Sequence, residues 1–249
     1  SALPQIISAF EPEAFQRARD LFAMINDDLI ELTPIEAELA KLFSNSWRYL
    51  NFAISNQFYL IAESYGQDFY HIYDAVTLRY PRMKSFARAG FAAGPCLLKD
   101  TLQLSAFCGN TFFLGHAAML VNEGLPNFLV SQLRKEGLEH QKVAILGMAF
   151  KGDSDDKRES LSYKLKKLLA IEASQVLCSD PYIQDPGFTP LEEAIDQADV
   201  IIFGAPHSVY HNLAIPSGKK IVDVWGFWQE QKSPAKQKTL AAELGQHQR

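Results

Sequence analysis

The spacing of apolar residues changes twice along the chain, and each change marks a region of different structure. Short apolar runs typical of strands at 3–9 and 28–33 flank a helical pattern at 11–25. The pattern is helical from 34 to 137, and strand-like runs then return at 142–147, 175–180, 199–205 and 219–225, with helical stretches at 159–173 and 191–198. This alternation predicts an α/β protein, in which a helical domain with one long helix precedes a Rossmann-like, doubly wound parallel-sheet domain.

The first 33 residues contain a single strand–helix–strand unit. One such unit cannot bury both faces of a parallel sheet, so we expect further strands upstream of it. The opening SALPQ, which lacks a Met, also favours a fragment. The predicted domains are therefore 1–33, the C-terminal remnant of a larger sheet domain, then 34–137 and 138–249.

The long helix begins at a capping box, Thr33-Pro34-Ile35-Glu36, and we expect it to end at Gly66. It is apolar on nearly every side, which predicts burial in a core or against a partner subunit. Lys41, Asn45 and Arg48 lie on one face of this helix. They form either a solvated or satisfied polar stripe, or a site for an anion or a carbonyl group.

Composition restricts the class of protein. The chain is 47% hydrophobic, and its net charge of −5 argues against a nucleic-acid or membrane-surface binder. No apolar run reaches membrane-spanning length, and three cysteines without a regular spacing favour a reducing cytoplasm. The sequence has no CxxC motif or Cys/His cluster, so a structural zinc site is not expected.

A loop at 80–96, rich in small and basic residues, leads to Cys96 at the predicted start of a helix. Asp100 follows four residues later, on the same face of that helix. The thiol is either a nucleophile or an apolar filler. Cys108 and Cys178 fall on apolar faces and are predicted to be buried.

The loop after the first strand of the C-terminal sheet carries AFKGDSDDKRES, in place of the G-x-G-x-x-G turn of a dinucleotide-binding fold. Lys151 and Arg158 are candidate phosphate ligands, and Asp153, Asp155 and Asp156 are candidate caps of the next helix. A solvated connection is the alternative.

Three segments, in order, resemble the UDP-glucose/GDP-mannose dehydrogenase family: AELAKLFSN (37–45), GFAAGPCLLKD (90–100) and VAILGMAFKGDSDDKRES (143–160). Enzymes of this family use NAD to oxidise C6 of a nucleotide sugar to a uronic acid. The resemblance implies an NAD-binding domain, mostly missing here, a helical dimerisation domain and a UDP-binding domain. It also implies a homodimer formed through the long helix, and a chain that is inactive by itself.

The resemblance further assigns roles to individual residues. Cys96 would form a thiohemiacetal and then a thioester with the substrate, Lys41 and Asn45 would stabilise the oxyanion, and Asp100 would activate water. Arg158 would contact NAD. The implied contacts with the UDP-sugar are Arg82, Phe91, Gly94, Phe150 and Lys151.

The chain also departs from the family pattern. Leu98 replaces a common proline, the loop before Cys96 is one residue longer, and Trp225 stands where an arginine often follows the fourth strand. These differences favour a UDP-hexose other than glucose, or an N-acetylated hexosamine. Two other functions stay open: a non-catalytic sugar-nucleotide module, and a cysteine hydrolase, which would need a histidine base.

Overall fold

The structure of the chain is a computed structural model that describes residues 3–228. Its N-terminal unit consists of two parallel three-residue strands around one helix, β1 (Gln5–Ile7), α1 (Pro12–Ala23) and β2 (Leu29–Glu31). No residue of α1 is buried, and large apolar side chains of the unit are exposed, among them Leu3, Phe10, Met24 and Ile25. The unit therefore does not enclose a core, in agreement with its sequence.

All the regular elements between residues 34 and 134 are helices, as predicted. The elements are α2 (Pro34–Ser64), α3 (Phe69–Thr77), α4 (Leu97–Phe107) and α5 (Phe113–Arg134). Both halves of the Thr33–Glu36 capping box form. At the other end Gly66 adopts φ +66°, and the N–H groups of Gly66 and Gln67 donate to the carbonyls of Glu63 and Ala62, which closes the helix.

Helix α2, 31 residues or about 46 Å long, packs against α4 and α5 along one face only. The residues from 3 to 228 therefore do not bury the whole helix. The opposite face exposes a stripe of large apolar side chains at spacings of three, four and seven residues: Phe43, Trp47, Ile54, Phe58 and Ile61.

The second half of the chain forms a four-stranded, all-parallel sheet in the order β4-β3-β5-β6. Its elements are β3 (Lys142–Leu146), α6 (Leu161–Glu172), β4 (Gln175–Ser179), α7 (Leu191–Gln197), β5 (Val200–Phe203) and β6 (Lys220–Val222). From β3 the chain first adds β4 on one side and later adds β5 on the other side. The strand order therefore reverses between β3 and β5, and a crevice is expected beyond the carboxyl ends of these two strands. Residues 229–249 of the predicted third domain lie outside the described residues.

Strands β5 and β6 are shorter than the sequence predicts. The chain leaves β5 at Gly204, whose N–H donates to the carbonyl of Leu146. After β6 the carboxylate of Asp223 accepts hydrogen bonds from the N–H groups of Gly226 and Trp228, at 2.9 and 2.8 Å, and these bonds fold residues 223–228 into a turn.

One apolar core joins the helices to the sheet. It contains side chains of α5, β3 and α6, among them Leu125, Leu129, Leu133, Val143, Ile145, Leu165 and Leu169. The position of the sheet relative to the helices is therefore set by packing. None of the helices within 3–228 has the length and apolarity needed to cross a membrane.

Two predictions from the sequence are wrong. Helix α6 is capped by Ser160, whose hydroxyl accepts from the N–H of Ser162, and not by Asp153, Asp155 or Asp156, which precede it by four or more residues. Cys108 is exposed, because it ends α4 beyond the packed face; Cys178 is buried in β4, as predicted.

Candidate functional site around Cys96

The side chains of Asn45 and Asp100 meet between α2 and α4. Asn45 Nδ2 donates a hydrogen bond of 2.5 Å to Asp100 Oδ2, and both residues are 4% exposed. Cys96 immediately precedes α4, and its carbonyl accepts from the N–H of Asp100 at 2.9 Å. Asp100 is therefore bonded to Asn45 and lies one helical turn after Cys96.

Asp100 has a second partner, Lys99, that the sequence did not indicate. Lys99 Nζ lies 3.2 Å from Asp100 Oδ1. Lys41, the fourth predicted residue, is exposed one turn before Asn45 and forms no hydrogen bond or ion pair with residues 3–228. Its convergence with Cys96 stays a prediction. Arg48 is likewise exposed.

The loop that leads to Cys96 is held by buried amides. Asn56 accepts from the N–H of Gly90 at 2.8 Å and donates to the Gly90 carbonyl at 2.9 Å. Asn56 also donates to Asn122, which in turn donates to the carbonyl of Tyr49. These pairs join residues 34 to 73 positions apart, so no local pattern in the sequence could reveal them.

Aromatic rings close over two glycines of this loop. Gly94 has φ +99°, and a Cβ there would lie 2.8 Å from the Phe150 ring. A Cβ on Gly90 would lie 2.2 Å from the Trp225 ring. Gly94 and Phe150, both predicted to contact substrate, are thus brought together because only glycine permits such close approach.

The remaining predicted substrate contacts differ in exposure. Phe91 is buried at 3% and meets Trp225 edge to face, so its ring supports the loop from inside. Lys151 is exposed, with its ammonium group 5.6 Å from the centre of the Phe150 ring. Arg82 lies in an exposed turn, Pro81–Met83, and has no hydrogen bond or ion pair within the described part of the chain.

Arg158 pairs with a carboxylate of its own loop. Its guanidinium binds the Asp156 carboxylate, and these hydrogen bonds hold the pKa of Asp156 at about 2. The same hydrogen bonds, the charge of Asp156 and then Cys96 raise the pKa of Arg158.

A buried His–Asp pair supports the loop after β3. Asp153 N–H donates to His207 Nδ1 at 3.0 Å, so the ring proton lies on Nε2, 3.3 Å from Asp180. Burial raises the pKa of Asp180, but hydrogen bonds from His207 and from backbone N–H groups of Met148, Tyr182 and Ile183 outweigh it and lower that pKa to about 2. The sequence analysis missed this network, whose acidic residue follows the second strand of the sheet.

A cavity of about 320 Å³ lies beside the cysteine loop. The backbone of Ala92–Gly94 and the start of α6 line it, together with three lysines, Lys157, Lys164 and Lys167. A larger cleft of about 700 Å³ lies at the carboxyl end of β4 and contains none of the predicted site residues. No His, Cys, Asp and Glu side chains within 3–228 are grouped as metal ligands.

Comparison with known proteins agrees with this arrangement. The model of the central domain of the UDP-glucose/GDP-mannose dehydrogenase family matches residues 35–123, and the model of that family's UDP-binding domain matches residues 144–230. The UDP-N-acetyl-D-mannosamine dehydrogenase of Pyrococcus horikoshii is 30% identical over 218 residues, which cover 84% of this chain and 51% of that protein.

Solved structures agree in fold. The UDP-D-ManNAc dehydrogenase of P. horikoshii superposes with a TM-score of 0.77 at 25% identity, covering 90% of this chain and 60% of that one. A UDP-glucose dehydrogenase of Pyrobaculum islandicum gives a TM-score of 0.75 at 29% identity, covering 90% of this chain and 56% of the other. The chain spans about half the length of the curated relatives it matches. With both domain models matched in order, the chain belongs to the UDP-glucose/GDP-mannose dehydrogenase family.

Proposed function

We propose that this chain carries the cysteine and the substrate-binding residues for NAD-dependent oxidation of the C6 hydroxyl of a UDP-sugar to a uronic acid. The junction at Cys96 carries the proposal. There Asp100, one helical turn after Cys96, forms a buried pair with Asn45, and Phe150 covers Gly94 of the same loop. A binding module would need neither the thiol nor a buried carboxylate beside it.

The proposed chemistry at Cys96 accounts for oxidation from alcohol to acid. After the alcohol has become an aldehyde, the thiolate adds to the carbonyl carbon and forms a C–S bond, which leaves an oxyanion. Loss of hydride from that carbon gives a thioester. Water then attacks the thioester, the C–S bond breaks, and the thiolate leaves from the acid.

Asn45 and Asp100 fit the two remaining tasks. An amide group carries two N–H donors, and one of those on Asn45 is used by Asp100, which leaves the second for an oxyanion. Lys41, one turn earlier and exposed, would add a positive charge there. Asp100 is a carboxylate with one turn of helix between it and Cys96, a position suited to orienting the hydrolytic water.

NAD would accept the two hydrides. Arg158 is exposed over 71% of its side chain and is the described residue best suited to meet an anionic part of that cofactor. The 249 residues contain no G-x-G-x-x-G turn to hold its pyrophosphate. We propose that this chain alone binds UDP-sugar without oxidising it, and that an NAD-binding domain completes the reaction.

For the substrate we propose a UDP-linked N-acetylated hexosamine. Several relatives are named UDP-N-acetyl-D-mannosamine dehydrogenase, and Trp225 packs onto the cysteine loop at the position where an arginine was expected. Arg82 and Lys151 are the exposed cations suited to the diphosphate. Phe150 and Gly94 would shape the sugar pocket, and Phe91 would act through the loop backbone.

Protection of the thiol from alkylation tests this proposal. Cys96 and Cys108 are both exposed, so iodoacetamide should label both, and peptide mass spectrometry resolves the two rates. UDP-N-acetylmannosamine should slow labelling of Cys96 and leave Cys108 unchanged, and UDP-glucose should protect less. Equal labelling of Cys96 with and without every UDP-sugar would contradict the proposal.

Of the alternatives, a non-catalytic sugar-nucleotide module would also show protection of Cys96, but the complete protein would form no acid and Cys96→Ala would leave UDP-sugar binding unchanged. A cysteine hydrolase would need a histidine base, and no histidine within 3–228 hydrogen-bonds to Cys96.

We also propose a homodimer formed through the exposed stripe of α2. A second copy of the stripe matches its all-apolar surface, which no element among residues 3–228 covers. Sedimentation should show a dimer that Trp47→Glu converts to a monomer, whereas Glu38→Gln on the same helix should not.

A further inference from the structure

The carboxylate of Asp180 lies among the carboxyl ends of three strands of the sheet. It follows β4, and its Oδ2 accepts from the N–H groups of Met148 and Ala149, at 2.6 and 3.1 Å, in the loop after β3. In the segment after β5, His207 Nε2 lies 3.3 Å from the same oxygen, and both side chains of this pair are fully buried. The crevice expected beyond β3 and β5 therefore contains a carboxylate of the protein itself.

Backbone N–H groups at this place have a different partner in related sheets. In a dinucleotide-binding fold, the N–H groups of the turn after the first strand bind a phosphate. Here β3 is the first strand of the sheet domain, and the N–H groups of 148 and 149 are bound to Asp180. Its other oxygen, Oδ1, accepts from the N–H groups of Tyr182 and Ile183, at 2.8 and 2.9 Å. A phosphate at this turn would have to displace a buried carboxylate with both oxygens engaged.

The same pair also holds the far end of the loop after β3. His207 Nδ1 accepts from the N–H of Asp153 at 3.0 Å. Asp180 therefore binds this loop at 148–149, and His207 binds it at 153. Residues 150 and 151 lie between the two anchored points.

The residues between the anchors, Phe150 and Lys151, are two of those proposed to meet the UDP-sugar. The Phe150 ring packs on Gly94 of the cysteine loop so closely that an added Cβ there would be 2.8 Å from it. Lys151 is exposed, with its ammonium group 5.6 Å from the centre of the same ring. The places of both side chains depend on a backbone that is fixed on either side by the buried pair.

We propose that Asp180 and His207 are positioning residues for UDP-sugar binding. They hold the loop after β3, and with it Phe150 and Lys151, in the arrangement that receives the ligand. That this loop receives a UDP-sugar rests on the proposed function. The pair acts through the backbone, since both of its side chains are fully buried. If loss of the pair left the loop in place a tenth of the time, the apparent affinity would fall about tenfold.

The test combines two measurements on the 249-residue chain. Hydrogen–deuterium exchange read by peptide mass spectrometry reports whether residues 148–153 are held, and calorimetry gives the Kd of UDP-N-acetylmannosamine. Asp180→Asn has one acceptor oxygen in place of two, so it cannot serve both pairs of backbone N–H groups. His207→Phe keeps a ring beside Tyr182 and Tyr210 and loses both hydrogen bonds. Each variant should speed exchange at 148–153 and raise the Kd about tenfold.

Two controls separate positioning from a general loss of stability. Asp185→Asn changes a carboxylate that also follows β4 but accepts from the N–H of Gly187 in its own turn, at 2.9 Å. Ile201→Val trims a fully buried side chain in the apolar cluster between the sheet and α7, which lowers stability away from the loop. Both controls should leave the exchange at 148–153 and the Kd as in the wild type.

Faster exchange together with weaker binding in Asp180→Asn and His207→Phe supports the proposal. Unchanged binding in both variants overturns it. Weaker binding without faster exchange at 148–153 overturns it too, because the two residues would then act through another part of the protein. Circular dichroism shows whether each variant is folded. If either is not, His207→Asn decides by the same measurements, since it keeps an acceptor for the Asp153 N–H and is too short to reach Asp180.

The result is separable from the proposed function. If the wild type binds no UDP-sugar, the proposed function fails, and exchange alone then decides whether the pair holds the loop. Faster exchange in the variants would keep that role, and unchanged exchange would overturn it. Binding of UDP-sugar by the wild type with unchanged binding in the variants would keep the proposed function and remove the positioning role.

Discussion

Asn45 and Asp100 are separated by 55 positions in the sequence, yet their side chains form a buried hydrogen bond of 2.5 Å. The bond fixes α4 against α2 at the turn that begins with Cys96. Both side chains are almost fully enclosed, so loss of the Asn45 amide would leave Asp100 Oδ2 without its donor in a site that excludes water.

We expect Asn45→Ala to lower the free energy of unfolding by about 1–3 kcal/mol, because Asp100 Oδ2 loses its buried donor while Lys99 stays at Oδ1. Urea titration followed by circular dichroism measures the change. Asn51→Ala is the matched control: its amide donates to the carbonyl of Trp47 on the same helix, in an exposed bond, and its loss should cost less than about 1 kcal/mol. Equal losses in the two variants would contradict the interpretation.

Gly94→Ala should destabilise the cysteine loop. The left-handed backbone at φ +99° disfavours a side chain, and the new Cβ would lie 2.8 Å from the Phe150 ring. We expect a loss of about 1–3 kcal/mol and faster proteolysis near residue 94. Gly124→Ala, inside α5 with no atom within 4 Å of the new Cβ, should be neutral or should stabilise by up to about 1 kcal/mol.

Asp180→Asn should reduce stability in a pH-dependent way. The folded-state pKa of Asp180, about 2, lies below the unfolded value of about 3.9, so its contribution is complete above pH 5 and is lost as the pH falls through 2. The wild type should exceed the variant by about 2 kcal/mol at pH 6, and the difference should shrink towards pH 2.

Thermal unfolding at several pH values tests this, with Asp155→Asn as the control. Asp155 is exposed and has no hydrogen bond or ion pair among the residues between 3 and 228, so its replacement should change stability by less than about 0.5 kcal/mol at every pH. A difference between wild type and Asp180→Asn that does not vary with pH would exclude the ionised carboxylate as its source.

The three thiols should differ in reactivity with native protein. Burial raises the pKa of Cys178 to about 11, so at pH 8 it should be almost entirely protonated as well as inaccessible. Cys96 and Cys108 should be alkylated within the time in which Cys178 remains unmodified, and denaturant should make all three react. Labelling of Cys178 in native protein would show that the sheet opens on that timescale.

The sequence predicted the order of the elements, because amphipathic periods, the Thr33–Glu36 box and Gly66 are local signals. Through the resemblance to a family it also led us to expect Asn45, Cys96 and Asp100 in one site; of these, the side chains of Asn45 and Asp100 are in contact. The hydrogen-bond partners of the polar residues could not be predicted from local patterns. The Asp153–His207–Asp180 network and the bonds from Arg88 to the carbonyls of residues 225 and 226 join positions 27 to 138 apart in the sequence. The assignment of aspartates as caps of α6 failed because four or more residues of loop separate them from the helix, where Ser160 is closer.

The Trp225 ring packs on Gly90, 135 positions earlier in the sequence, and this separation has a consequence for folding during synthesis. The contacts of Gly90 with Asn56 can form as soon as both residues have left the ribosome, but Trp225 and Gly226 emerge 135 or more residues later. Until then the loop before Cys96 lacks its contacts with residues 225 and 226. The nascent protein is therefore expected to pass through a stage in which Cys96 has not yet acquired its final surroundings.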